Sequence, residues 1–189
     1  MTDWDKIWNG AGGAKVGAPE ISFVRFAARV FGPRMPSCRF LDIGSGTGAN
    51  TLWLEQHGAD VVAIDPSHKC RAHYHESCAV YLEEYCPEPF DCILDIKTLC
   101  HTRLYADYRD IHAFLKPGGW LYVMAPTIHH LRTEGGYRDV GHGKDYTRYA
   151  SEWEMRSMLS MFSSVTIREL QEPAGSHLYT STWCCEAQK

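Results

Sequence analysis

The chain has no long apolar run, no CxxC pair and no excess of basic charge, and each absence removes a class of function. No stretch approaches the ~18 consecutive apolar residues of a membrane helix, so no membrane partner is expected. The opening Met-Thr-Asp-Trp-Asp-Lys-Ile-Trp-Asn-Gly contains no apolar segment. It does not read as a signal peptide, and a cytoplasmic location is expected. The eight cysteines are scattered, with Cys184 and Cys185 adjacent. Without an export signal they read as reduced thiols, and without CxxC no metal site is expected. The formal net charge of -4 supplies no bulk attraction to nucleic acid, so no nucleic-acid partner is expected. There is no internal repeat, low-complexity tract or linker. A length of 189 residues with 44% hydrophobic content predicts one domain over 1–189, as a monomer or homodimer.

What is present is an alternation of strand and helix signals. Arg39–Ile43 is a short apolar run that stops at a glycine loop, which predicts a buried strand. Ala49–His57 reads as the following helix, with Gly58 where a helix end favours a left-handed residue. Asp60–Ile64 reads as a second strand. Asp65-Pro66-Ser67 then reads as a helix start capped by Ser67. Phe90–Leu94 is another apolar strand. Leu104, Tyr108, Ile111 and Leu115 fall at helical spacing, ended by the turn signal Lys116-Pro117-Gly118-Gly119. Trp120–Ala125 is the next strand. Ser151 and Glu154 form a capping box, with Met155, Met158, Leu159 and Phe162 on that helix's apolar face. Val165–Leu170 and Leu178–Glu186 have only a Pro-Ala-Gly turn signal between them, so they are expected to pair antiparallel. The whole predicts an α/β sandwich, a mostly parallel sheet with helices on both faces and an antiparallel C-terminal hairpin.

Glycines between a strand and a helix let a ligand approach the backbone, while the helix start offers free N–H groups. Gly44, Gly46 and Ala49 also satisfy GxGxx(G/A), a pattern that does not separate a nicotinamide dinucleotide from S-adenosylmethionine. Asp42, at the strand end, does discriminate: a carboxylate suits a cationic ligand and repels a pyrophosphate. Asp65, ending the second strand, is placed to accept hydrogen bonds from both hydroxyls of a ribose.

With these residues in view, the chain resembles the class I S-adenosylmethionine-dependent methyltransferases. Phe40-Leu41-Asp42-Ile43-Gly44-Ser45-Gly46-Thr47-Gly48 is similar to their first motif, and Val61-Val62-Ala63-Ile64-Asp65-Pro66-Ser67 to their second-strand motif. Phe90-Asp91-Cys92-Ile93-Leu94-Asp95 resembles the fourth-strand motif, and Leu115-Lys116-Pro117-Gly118-Gly119-Trp120 the turn before the fifth. The resemblance runs, with gaps, from about Phe40 to the C-terminus. It implies a Rossmann-like sheet of order 3-2-1-4-5-7-6, an N-terminal cap segment over 1–36 and a substrate-side loop over 126–149. It implies S-adenosyl-L-methionine as cofactor and S-adenosyl-L-homocysteine as product. Gly44, Ser45, Gly46 and Gly48 would border the methionine and ribose, and Asp42 would contact the amino acid end. Asp65 would hold the ribose, Pro66 and Ser67 would border the adenine, and Asp95 with Ile96 would lie near the methionine amino group or the transferred methyl. One departure stands out: only 24 residues separate Asp65 from Phe90. Either Cys78–Leu82 is a third strand after a clipped helix, or that strand is missing. Glu83 or Glu84 is the candidate for the adenine-contacting acid.

Methyl transfer needs a base only when the nucleophile arrives protonated. The candidates are His101, His129, His130 and Tyr146, with His101 in the segment after Asp95. His73 and His75, with Cys70 and Cys78, read as a polar surface helix rather than a metal cluster. Trp4 and Trp8 share a helix face, either docked on the core or closing over the cofactor. No Asn-Pro-Pro-Tyr signature follows the fourth strand, which disfavours nucleobase or glutamine-amide chemistry. The expected acceptor is a small molecule offering O, N or S. The alternatives are a protein or RNA methyltransferase with a partner subunit, a non-catalytic cofactor-binding module, and a nicotinamide-dependent oxidoreductase.

Overall fold

The computed structural model describes residues 16–84, 88–101, 108–127, 132–133, 136–137, 150–175 and 178–189. The chain falls into two compact units, Met1–Leu94 with Phe114–Gly119, and Asp95–Ala113 with Trp120–Lys189.

In the first unit, α1 (Ile21–Val30) is capped by the Glu20 carboxylate, which accepts the Ser22 N–H. Its Phe23 and Phe26 are buried, and Phe23 meets Trp53 of α2 (Ala49–Gln56) edge-on at 6.1 Å. β1 (Arg39–Ile43) and β2 (Asp60–Ile64) pair in parallel, Leu41 opposite Val62 and Ile43 opposite Ile64. Gly58 closes the helix–strand connection at φ 82°, a conformation that a Cβ would oppose. Asp91 ties three segments together. Its carboxylate accepts the Arg39 N–H at 2.8 Å and the Lys116 ammonium at 2.7 Å.

The stretch between β2 and the next strand departs from expectation. No helix starts at Ser67. Instead the Ser67 N–H bonds the Asp65 carboxylate at 2.9 Å, and the chain turns back along β2 as a strap. His73 N–H and Tyr74 N–H both donate to the Ala63 carbonyl, and Asp65 N–H donates to that of Tyr74. Cys78–Leu82 is not a strand: it lies in α3 (Cys78–Glu84). Among the described residues, no third strand forms in this stretch, and one parallel bridge joins Ile64 and Tyr74.

β3 (Phe90–Ile96) and β4 (Leu115–Pro126) follow, with α4 (Tyr108–Ala113) between them. In the second unit β4 pairs antiparallel with β8 (Leu178–Gln188), Val123 opposite Cys185, and β8 pairs antiparallel with β7 (Ser164–Gly175). The expected hairpin is therefore present, longer than its apolar signal. β5 (Arg132–Thr133) and β6 (Gly136–Tyr137) form a small ladder beside β8. The strand order is β2-β1-β3-β4-β8-β5-β6, with β7 also on β8. Apart from the lost edge strand and this added ladder, it follows the expected order. α5 (Glu152–Met158) carries the full Ser151–Glu154 capping box. Leu159 and Phe162 are buried as expected but lie beyond the end of that helix.

No helix among the described residues is long and apolar enough to cross a membrane. The seven cysteines among them are all free thiols.

Candidate active site

The glycine loop joins β1 to α2. Gly44, Gly46 and Gly48 all take positive φ (68°, 53° and 78°), so each uses a freedom that other residues lack. Gly44 N–H and Ser45 N–H donate to the Ile64 carbonyl at 2.7 and 3.1 Å, fixing the loop on the end of β2. Gly46 is held from both sides. Its N–H donates to Asp65 at 3.0 Å, and its carbonyl accepts the Arg71 N–H at 2.9 Å. Ser45 Oγ donates to the Arg71 carbonyl at 2.7 Å. A Cβ on Gly48 would stand 2.6 Å from Arg71 Cδ, so the strap packs directly against the loop.

Two acids of this unit are almost fully buried. Asp42 is 2% exposed, and the Thr51 hydroxyl donates to it at 2.7 Å. Burial pushes its carboxyl up to about 6, the Thr51 hydrogen bond opposes that, and the Asp65 charge adds to it. Asp65, 6% exposed, accepts one backbone N–H on each oxygen, from Gly46 and Ser67. A carboxylate oxygen has two acceptor positions, so both oxygens keep capacity for a further donor. Ser67 is buried, and its Oγ accepts the Lys69 N–H. Pro66 is exposed, and so is Glu83, which sits on α3 with no strand before it.

His73 and His75 lie in the strap, not on a helix. His73 Nδ1 accepts the Ala63 N–H at 3.1 Å and its Nε2 faces Glu55 at 3.4 Å. His75 Nδ1 bonds the Ser67 carbonyl at 2.9 Å. Among the described residues no cluster is arranged to hold a metal ion.

In the second unit Asp95 belongs to the end of β3 rather than to the loop after it, and it is 1% exposed. It accepts Leu99 N–H at 3.0 Å and Thr98 N–H at 3.3 Å on Oδ1, and Tyr108 Oη–H at 2.8 Å on Oδ2. Burial raises its carboxyl to about 6 against the pull of these three bonds. Lys97 takes φ 58°, uncommon for a side chain with a Cβ, and this bend brings Thr98 and Leu99 under Asp95. Ile96 is half-buried, and so is His101, at the end of a short 3-10 turn (Leu99–His101). His129, His130, Tyr146 and the pair Trp4 and Trp8 lie outside the described residues.

Two partners escaped the reading of spacing. Thr51 appeared only as a residue of the predicted helix, and Tyr108 only as an apolar helix position. The usable signal for Tyr108 was its hydroxyl, since a buried phenol needs a partner.

A strand–glycine loop–helix unit with buried acids ending β1 and β2 defines a Rossmann-like protein built for a nucleotide-derived ligand. A methyltransferase-domain profile matches residues 20–179, and the chain belongs to that family. It is an S-adenosylmethionine-dependent methyltransferase, with S-adenosylhomocysteine as product.

Solved structures share the fold at low identity. One, from work on the conversion of a disulfide bond into a thioacetal group during echinomycin biosynthesis, is 18% identical with TM-score 0.68 over 98% of this chain and 90% of that one. An S-adenosylmethionine-dependent methyltransferase from Archaeoglobus fulgidus is 14% identical with TM-score 0.63, covering 90% of this chain and 95% of that one. The 1,6-didemethyltoxoflavin-N1-methyltransferase of Burkholderia thailandensis, bound to 1,6-didemethyltoxoflavin and S-adenosylhomocysteine, is 19% identical with TM-score 0.57, covering 89% and 82%. Among curated proteins no sequence relative matches the chain.

Proposed function

We propose that the chain moves the methyl group of S-adenosylmethionine to an oxygen, nitrogen or sulfur atom of a small molecule. One observation carries the donor side. Asp42, Asp65 and Asp95 are each at least nine-tenths buried, and among the described residues none has a cationic partner. Buried carboxylates are normally paired. A ligand with an ammonium and a sulfonium fits groups that hold negative charge and lack a counterion.

The residue roles follow from that fit. Asp65 uses its remaining acceptor positions for the ribose hydroxyls, with Pro66 and Ser67 beside the adenine. Within the first unit Asp42 is the candidate for the amino end, directly or through water, and within the second unit, taken by itself, Asp95 is the candidate for that group. The positive-φ glycines let the ligand lie against the backbone. When bound, the sulfonium supplies an electrophilic methyl group and a neutral thioether leaving group. What the chain adds is alignment and exclusion of water, which together account for much of the acceleration in transfers of this kind. His101 is proposed to take the proton of an acceptor that arrives protonated, since the unperturbed pKa of a histidine side chain suits that exchange.

The net charge of -4 supports a small acceptor over nucleic acid, as does the small-molecule substrate of the Burkholderia neighbour. Methyl-labelled donor, incubated with the protein and a fractionated cell extract, tests the acceptor class. Label in the metabolite fraction supports the reading, and label confined to protein or RNA overturns it. Asp65→Ala tests the donor side. Loss of charged hydrogen bonds should weaken S-adenosylhomocysteine binding about tenfold or more by calorimetry. Binding of NAD in place of S-adenosylhomocysteine would refute the roles assigned here.

A further inference from the structure

We propose that Tyr108 is a positioning residue for donor binding: its buried hydroxyl holds Asp95 ionised and oriented as acceptor for the donor's ammonium group. The inference rests on the role of Asp95 proposed above and adds to it the residue that makes the role possible.

Asp95 is gripped at both oxygens. Two backbone N–H groups from the bend at Lys97 fix Oδ1, and Tyr108 Oη, at 2.8 Å, fixes Oδ2. Tyr108 itself is 2% exposed, so its hydroxyl does not serve solvent. All three donors are neutral. Neutral donors favour the charged form without cancelling it, whereas a lysine or arginine partner would consume the charge. Such a cage leaves a negative charge in a dry place, ready for a cation that comes from outside. A carboxylate with only a structural role gains nothing from being left uncompensated.

The neighbouring groups allow the test to be read. Cys100 and Cys185 lie close enough to feel the Asp95 charge, and burial keeps both thiols protonated, with Cys100 pushed up to about 12. On α4, Arg109 and Asp110 occupy the exposed side, and the His112 ring packs against Phe162 at 5.0 Å. His101, two residues beyond Leu99, is replaced in parallel.

The experiment measures S-adenosylhomocysteine affinity by calorimetry from about pH 5 to about pH 8.5, for wild type, Tyr108→Phe, Asp95→Asn, His101→Gln and the Tyr108→Phe/Asp95→Asn double variant. Wild-type binding should tighten as pH rises and the buried acids ionise. Tyr108→Phe keeps the ring and removes one donor, so the rise should move up by about half to one pH unit. Binding would then be about three- to tenfold weaker near pH 6 and nearly equal near pH 8.5. In the Asp95→Asn background Tyr108→Phe should add nothing, and His101→Gln should leave the rise in place. A pH-independent loss in Tyr108→Phe, or one that persists in the double variant, would make Tyr108 a packing residue and overturn the proposal. Equal affinity of Asp95→Asn and wild type would instead remove the role of Asp95, and absence of wild-type binding would remove the donor-site reading as a whole.

Discussion

Thr51 and Asp42 show how one hydroxyl sets the charge of a buried acid. The Thr51 side chain is fully buried and its hydroxyl proton points at Asp42, nine residues upstream. The bond opposes the desolvation that lifts the Asp42 carboxyl to about 6. Thr51→Val keeps the shape and deletes the donor. The Asp42 pKa should then rise further, so a larger share is protonated and uncharged near neutrality. Loss of a hydrogen bond to a charged group should cost about 1.5–3 kcal/mol at about pH 8, and less at about pH 5, where Asp42 is protonated in both proteins. Urea unfolding of the two proteins at both pH values measures this. An equal loss at both pH values would mean that the hydroxyl serves packing and not charge. Asp42 was legible in the sequence because its place at a strand end before a glycine loop is a local pattern. Its partner was not, because a threonine in a helix is an ordinary residue until the fold turns it inward.

At the scale of elements, the strap after β2 marks where sequence reading stopped. Pro66 and Ser67 look like a helix start, and Cys78–Leu82 looks apolar enough for a strand. Tertiary demands outweighed both. β2 leaves backbone groups unpaired at its outer edge, and such groups must find partners. The Asp65 carboxylate turns the chain by bonding Ser67, and the Ala63 N–H is satisfied by the His73 ring at 3.1 Å. An imidazole standing in for a backbone acceptor leaves no periodic trace in the sequence. By contrast, the capping box at Ser151 and the turn at Gly58 were legible because they depend on near neighbours alone. The strap also bears on the glycine loop, whose Ser45 hydroxyl bonds the Arg71 carbonyl. Ser45→Ala should release about 1 kcal/mol of local stability, so strap amides such as that of Arg71 should exchange with deuterium about fivefold faster, with β1 unchanged. Unchanged exchange would show that the bridge to Tyr74 holds the strap without the loop.

For the whole molecule, the buried carboxyls of Asp42 and Asp95 make folding stability depend on pH. Both carboxyls sit near 6 in the folded chain, against an ordinary value of 3.8. The folded state therefore holds their protons more tightly than the unfolded state does. A group with a raised folded pKa contributes its stability in full below the unfolded value and loses it as pH rises through the folded one. For each group that loss is up to about 3 kcal/mol, spread between about pH 4 and about pH 6. The comparison that isolates each of these two buried acids is wild type against Asp42→Asn and Asp95→Asn. Each variant should gain thermal stability relative to wild type as pH rises through about 6, because it has no charge to strand. The donor should reverse that penalty by supplying the missing cation. The rise in melting temperature caused by S-adenosylmethionine should accordingly be larger at about pH 8 than at about pH 5 in the wild type, and the difference should shrink in either variant. A donor-induced shift that is the same at both pH values would mean that the ligand's positive charge is met elsewhere, and that these acids are buried for the fold alone.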